Sequence, residues 1–220
     1  MINVWLQNRD LLTTTRSMVA CLKQADQVGR ITIVDCGSTF PDLLDWYSEL
    51  KDVRIIRDKN IGNKAIWQHC KDTADYFASD ADLDITSVPT DFLVRLRTKL
   101  RSSNDYIKVG LALRIDDLPD HNPDKADIID WESQFWSGQK SGLSEWNPSL
   151  IDTTAAVYYG GRKFDGVGPA LRLGGEYAAR HVLWYLDPHN LPNEWKWYLR
   201  HLGHGGALGW SPRMKRHAGL

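Results

Sequence analysis

Cysteine is scarce and unpatterned in this chain: three residues in 220, Cys21, Cys36 and Cys70, far apart and odd in number. With no C-x-x-C pair they offer neither a zinc site nor a disulfide framework, and they fit a reducing compartment. No apolar run approaches the roughly 20 residues needed to span a bilayer. Neither sign of charge dominates, with 27 Lys and Arg against 28 Asp and Glu. That balance argues against a basic nucleic-acid groove and a polyanionic tail. Met1 leads straight into the strand-like Ile2-Asn3-Val4-Trp5-Leu6 with no charged leader, so a cytoplasmic location is expected. Repeats, low-complexity tracts and a convincing linker are also missing. A single domain over residues 1–220 is expected, with a change of rhythm dividing it into halves 1–115 and 116–220.

What is present begins with alternation. Ile2–Leu6 reads as a strand, Leu11–Ala25 as a helix, and Arg30–Asp35 as a buried strand followed by the turn Cys36-Gly37-Ser38-Thr39. Pro41 and Asp42 suit the first turn of a helix running to Leu50. Val53–Arg57, Asp75–Ser79 and Lys108–Arg114 are further strands, with helices over Asn63–Cys70 and Thr90–Ser102. Strands alternating with helices predict an α/β/α sandwich on a mixed, mainly parallel central sheet. Such sheets bind ligands at the edge where the parallel strands end. The second half is less regular: a helix over Ile128–Trp136, a loop over Ser137–Ser149, a strand over Ile151–Tyr159, and helices over Tyr177–Leu186 and Asn193–Leu202. Tryptophan is frequent, ten residues, and its flat faces suit sugar rings as well as cores.

The most telling stretch is Tyr76-Phe77-Ala78-Ser79-Asp80-Ala81-Asp82-Leu83-Asp84. If the run stays extended, Asp80, Asp82 and Asp84 share one face. Hard oxygen ligands at a strand end suit Mn2+ or Mg2+, and such an ion suits a phosphate-bearing substrate.

Four strand ends together carry a resemblance: Gln7-Asn8-Arg9; Asp35-x-Gly37-Ser38-Thr39; Asp58-Lys59-Asn60-Ile61-Gly62-Asn63-Lys64; and Asp80-x-Asp82. In this order they resemble the nucleotide-sugar-binding half of GT-A (Rossmann-like) glycosyltransferases of the family-2-like group, over roughly residues 2–114. Later segments, among them Trp131-Glu132, Ile151-Asp152-Thr153-Thr154 and Ala179-Arg180-His181, look like those of small bacterial and viral (large algal virus) members. The resemblance implies transfer of a sugar from a nucleotide-sugar donor, a UDP-sugar, to a hydroxyl of a glycan or related acceptor, with inversion. It implies base or ribose contacts for Asp35 and Asp58, and a ribose and metal position for Asp80. Asp82 would be the metal ligand between the phosphates. Gln7, Arg9, Asn60 and Lys64 are carried over as donor-binding residues. Each has a plainer alternative: a tight turn at Asp35 and Gly37, a helix cap at Asn60, a solvated charge at Arg9 or Lys64.

An acceptor hydroxyl needs a base, and the family's usual late Glu-Asp pair is not evident. Asp152, then Glu132, then Asp117 are the candidates, in that order. His201, His204 and His181 are candidates for an additional metal ligand. The aromatic helix 193–202 either closes the fold or touches a membrane surface, a contact that is possible without being required. Two rival functions remain open. Asp82-x-Asp84-x-Thr86 also spells the nucleophile loop of haloacid-dehalogenase-like Mg-dependent phosphatases, although three strands precede it where that loop ends the first. A non-catalytic sugar-binding module is the other.

Overall fold

The computed structural model describes residues 1–136, 145–164, 166–202 and 209–220. Strand β1 (Ile2–Asn8) sits between β2 (Val28–Cys36) and β4 (Tyr76–Asp80), and β3 (Arg54–Asp58) extends the sheet beyond β2. All four are parallel. Beyond β4 come β8 (Ala156–Tyr158), β6 (Lys108–Leu111), β9 (Ala170–Leu173) and β7 (Trp146–Pro148). Only β8 and β7 run against the other six strands. The outcome is the expected mixed, mainly parallel α/β sheet, consistent with a Rossmann-like GT-A arrangement.

Side-chain alternation builds the layers. Val4 and Leu6 of β1 and Phe77 of β4 point into one core, while Trp5, Tyr76 and Ala78 point into another. The first core is covered by α1 (Thr13–Gln24), α2 (Pro41–Glu49) and α4 (Phe92–Arg101), through residues such as Met18, Leu22, Leu43, Trp46, Leu93 and Leu96. The second is covered by the short α3 (Ala65–His69), through Ile66 and Trp67. A third cluster joins Leu11 and Leu183 to Trp195 and Leu199 of α6 (Asn193–Arg200) and Met214 of α7 (Trp210–His217). Among the described residues no helix is long and apolar enough to cross a membrane.

Several elements depart from the sequence pattern. The helix expected over Tyr177–Leu186 is two 3-10 turns, Gly175–Tyr177 and Val182–Tyr185, flanking β10 (Arg180–His181). β10 pairs antiparallel with β5 (Leu83–Asp84), with His181 opposite Leu83. This distant ladder takes the backbone hydrogen bonds that a helix would have kept local. The strand expected over Ile151–Tyr159 is ordered as β8 only from Ala156. Part of the loop expected over Ser137–Ser149 is edge strand β7, and α5 (Lys125–Ser133) starts earlier than Ile128.

Candidate functional site

Parallel pairing brings the informative strand ends to one edge. Gln7 of β1 is level with Asp80 of β4, and Asn8 with Asp35 of β2. A cleft of about 460 Å3 opens there. Its floor is Gln7, Asn8, Arg9, Cys36, Asn60 and Asp80–Asp82. Its far wall comes from the second half, through His181, Tyr198 and the start of α7 at Trp210–Pro212.

The strand-end turns are built for this. After Asp35 the chain turns at Gly37 with φ +76°, where a Cβ would stand 3.3 Å from the Asn60 nitrogen, so glycine is required for the close approach. Asp35 is fully buried and accepts a hydrogen bond from the Ser38 N–H at 3.0 Å. Burial raises its carboxyl above the usual range, partly offset by Ser38 and Arg57. Its Oδ2 is buried without a partner, but the side chain does not line the cleft, so the expected contact with a base or ribose is not formed by this arrangement.

The three aspartates expected on one extended face do not stay together. The chain bends after β4, and Asp84 instead accepts hydrogen bonds from Thr86 N–H (2.9 Å) and Oγ1 (2.6 Å), away from the cleft lining. Asp80 and Asp82 remain. The Thr153 hydroxyl donates to Asp80. Burial, then the neighbouring Asp82, raises Asp80's carboxyl well above the usual carboxylate range. Asp82 Oδ2 lies 3.4 Å from His181 Nε2, whose ring stacks on Trp184 at 4.9 Å. Arg9 rests its guanidinium 4.9 Å from the centre of the Tyr198 ring.

Four lining residues carry a buried polar atom with no protein partner: Asn8 Oδ1, Arg9 Nε, Asp82 Oδ1 and His181 Nδ1. Folded proteins satisfy nearly all such groups, and a molecule bound in the cleft would supply partners to these four. Among the described residues no three His, Cys, Asp or Glu side chains are drawn together to hold a metal. Asp82 and His181 are two, with Asp80 beside Asp82.

The remaining candidates fall in different places. Gln7 lines the cleft while its Oε1 accepts from the Ala65 N–H at 3.1 Å. Asn60 also lines it and accepts from the Gly62 N–H at 3.2 Å. Asp58 is held by the Lys59 N–H (2.7 Å) and His69 Nε2 (2.9 Å), which lower its carboxyl pKa. It does not line the cleft, and neither does Lys64, whose ammonium sits 5.3 Å from the Phe164 ring centre. Asp152 is exposed in the loop before β8, close enough for its charge to act on Asp80. Glu132, a candidate base, is buried in an ion pair with Arg172. Burial pushes its carboxyl up to about 7. Asp117 is bound by Arg180 and by the Tyr185 hydroxyl at 2.6 Å. None of these three carboxylates lines the cleft. His201 is exposed, donates to the Trp197 carbonyl at 2.8 Å and stands outside the lining. His204 lies outside the described residues.

Tyr198, Trp210 and Ser211 were not singled out by the sequence. The only hints were the aromatic run Trp195–Tyr198 and the richness in tryptophan.

No family model and no curated protein matches the chain. Among solved structures it is similar to glucosyl-3-phosphoglycerate synthase from Mycobacterium tuberculosis in complex with Mn2+, UDP-glucose and glycerol 3-phosphate. That match has 15% identity and a TM-score of 0.41, over 72% of this chain and 56% of that one. It is also similar to S. aureus TarS 1-349, with 11% identity and a TM-score of 0.37, over 51% of this chain and 35% of that one. A third is 4-diphosphocytidyl-2C-methyl-D-erythritol synthase, with 12% identity and a TM-score of 0.39, over 52% of this chain and 61% of that one. The chain therefore spans less than two thirds of each of these structures.

Proposed function

We propose that this chain is a metal-dependent glycosyltransferase that binds a UDP-sugar in the cleft and transfers the sugar, with inversion, to an acceptor hydroxyl. One observation carries the reading: unpartnered buried polar atoms, two carboxylates and one arginine converge where the parallel strands end. A sugar diphosphate presents what these groups lack. Its ribose and base offer donors to Asn8 Oδ1, and its phosphates offer acceptors to Arg9.

The donor set also fits Mn2+ or Mg2+. Asp82 Oδ1 and His181 Nδ1 are free, Asp80 adjoins them, and oxygen with imidazole suits Mn2+. Two or three protein ligands suffice for an ion that completes its shell with phosphate oxygens and water. Bound there, the ion would stabilise the charge developing on the leaving diphosphate. The protein groups do the rest. Arg9, steadied by Tyr198, adds positive charge, and the low-dielectric wall of Tyr198 and Trp210 strengthens it. Asp152, exposed and near enough for its charge to act on Asp80, would take the acceptor's proton. Residues 1–220 then act as one domain whose two halves meet at the cleft.

The test is thermal. UDP with Mn2+ raises the melting temperature more than either alone, and Asp82→Ala removes the added shift. A shift with ADP or GDP but not UDP refutes the uridine assignment. Hydrolysis of simple phosphate esters, abolished by Asp82→Asn, supports the phosphatase rival instead.

A further inference from the structure

We infer that Lys108, Arg172 and Thr153 are positioning residues for Asp80. The two buried cations fix the segment 150–153 by its carbonyls, and Thr153 on that segment holds the Asp80 carboxylate at the cleft. The duty of Asp80 towards a donor rests on the reading above; the brace behind it stands on the contacts alone.

Residues 149–155, between β7 and β8, form no regular structure, yet Ile151, Thr153, Thr154 and Ala155 are buried. Buried irregular backbone needs hydrogen-bond partners that a ladder would otherwise supply. Here side chains supply them. Arg172 Nε of β9 donates to the Leu150 carbonyl at 2.7 Å, and Lys108 Nζ of β6 donates to the Ile151 carbonyl. Register explains how two strands reach one segment. Lys108 is level with Ala170 and Gly110 with Arg172, so Lys108 and Arg172 stand on one face of adjacent strands. Gly110 keeps that face open: a Cβ there would lie 2.3 Å from the Ala155 carbonyl oxygen, which accepts from the Leu111 N–H at 2.9 Å. The segment thus rests directly on β6.

The other end of the segment grips Asp80. The Thr153 hydroxyl donates to Asp80 Oδ2, and the Thr153 carbonyl accepts from the Asp80 N–H at 3.2 Å. One buried residue therefore fixes both the strand end and the rotation of a carboxylate that lines the cleft. Stability alone does not call for cations here, because apolar side chains of similar volume replace a buried ion pair at little or no loss. Lys108 is fully buried and Arg172 nearly so. Arg172 is held in turn by Glu132, to which its Nη1 donates, and by the Phe135 ring, whose centre is 4.3 Å away. What the cations add is a directed donor, delivered to one chosen carbonyl by a side chain that is itself fixed.

The experiment uses the full chain and the double variant Glu132→Met/Arg172→Met, which removes the pair without stranding a charge. Native-state amide exchange reads the brace with no ligand present. The Asp80 N–H should exchange about tenfold faster or more, with Phe77 and Val109 at their wild-type rates, and Lys108→Met should release the same amide. UDP titrated calorimetrically with Mn2+ should bind the double variant about tenfold more weakly. Thr153→Val removes only the hydroxyl, so it should weaken that binding while the Asp80 N–H stays protected, and Thr153→Ser should restore it. If the double variant does not fold, Arg172→Lys, which keeps the charge and loses the fork, takes its place with the same expected release of Asp80. An unchanged Asp80 rate in the arginine or lysine variants overturns the proposal. So does equal acceleration at Asp80, Phe77 and Val109, which assigns the cations to general stability, and so does wild-type binding by Thr153→Val. Failure of the wild type to bind UDP with Mn2+, beside selective release of Asp80 in the variants, would sink the donor reading and leave the brace standing.

Discussion

At the scale of single residues, the three candidate bases differ in what already holds them. Asp152 is exposed and untethered by any hydrogen bond or ion pair described, whereas Glu132 and Asp117 each serve an arginine. Asp152→Asn is therefore expected to leave UDP binding intact and to lower transfer by roughly 10²–10⁴-fold, measured as UDP released with and without acceptor. Parental transfer by this variant would remove the base assignment. Glu132 belongs to stability instead. Its folded pKa of about 7 lies above the ordinary glutamate value, so the native state holds an extra proton between about pH 4.5 and 7. Its contribution is full below that window and lost as pH rises through it. Denaturant titrations from pH 4 to 8 should show wild-type stability falling across this interval and Glu132→Gln largely flattening the slope. Arg172→Met strands a buried carboxylate, so it should cost about 3 kcal/mol at pH 8 and less at pH 4.

At the scale of elements, two helices are capped by carboxylates from elsewhere in the chain. Asp10, buried at φ 58°, accepts from Thr39 N–H (2.6 Å) and Phe40 N–H (2.9 Å) at the start of α2. Glu194 of α6 accepts from Leu12 N–H (2.6 Å) and Thr13 N–H (2.7 Å) at the start of α1. Neither helix has a side-chain cap of its own. Asp10→Ala and Glu194→Ala should each lose about 1–2 kcal/mol by chemical denaturation, and a loss under 0.5 kcal/mol would mean that water replaces the carboxylate. Capping signals in sequence are local, so Leu12 and Phe40 showed nothing, and a partner 182 residues away was illegible. The first-half strands were legible because parallel strands buried on both faces read as continuous apolar runs. Asp35, Asp80 and Asp82 were legible as polar breaks at the ends of those runs. β5 and β10, of two residues each, are too short to show a period, whereas β8 was read as the end of a longer strand. The tyrosine and tryptophan of the far wall read as core aromatics because nothing local distinguishes a ring that faces a cleft.

At the scale of the molecule, the cleft belongs to neither half alone: Gln7–Arg9 and Asp80–Asp82 come from one, His181, Tyr198 and Trp210 from the other. Ligand binding should therefore slow amide hydrogen exchange in both, measured with UDP and Mn2+ over residues 2–9, 76–84, 193–200 and 210–217. Protection confined to the first half would place the ligand outside the cleft described. The position of β8 has a separate consequence for how the chain is made. It fills the slot between β4 and β6, pairing with both, yet it is synthesised after both. Until Tyr158 has left the ribosome, Tyr76-Phe77-Ala78 and Lys108-Val109-Gly110 each have an unpaired edge, separated by one strand's width. At roughly 5–20 residues per second that interval lasts seconds, long enough for bare edges to meet each other or a neighbouring chain. The strand carrying Asp80 is thus exposed to mispairing on one edge and β6, whose neighbours β8 and β9 both come later, on two, and slow translation between Leu111 and Ala156 would lengthen the danger.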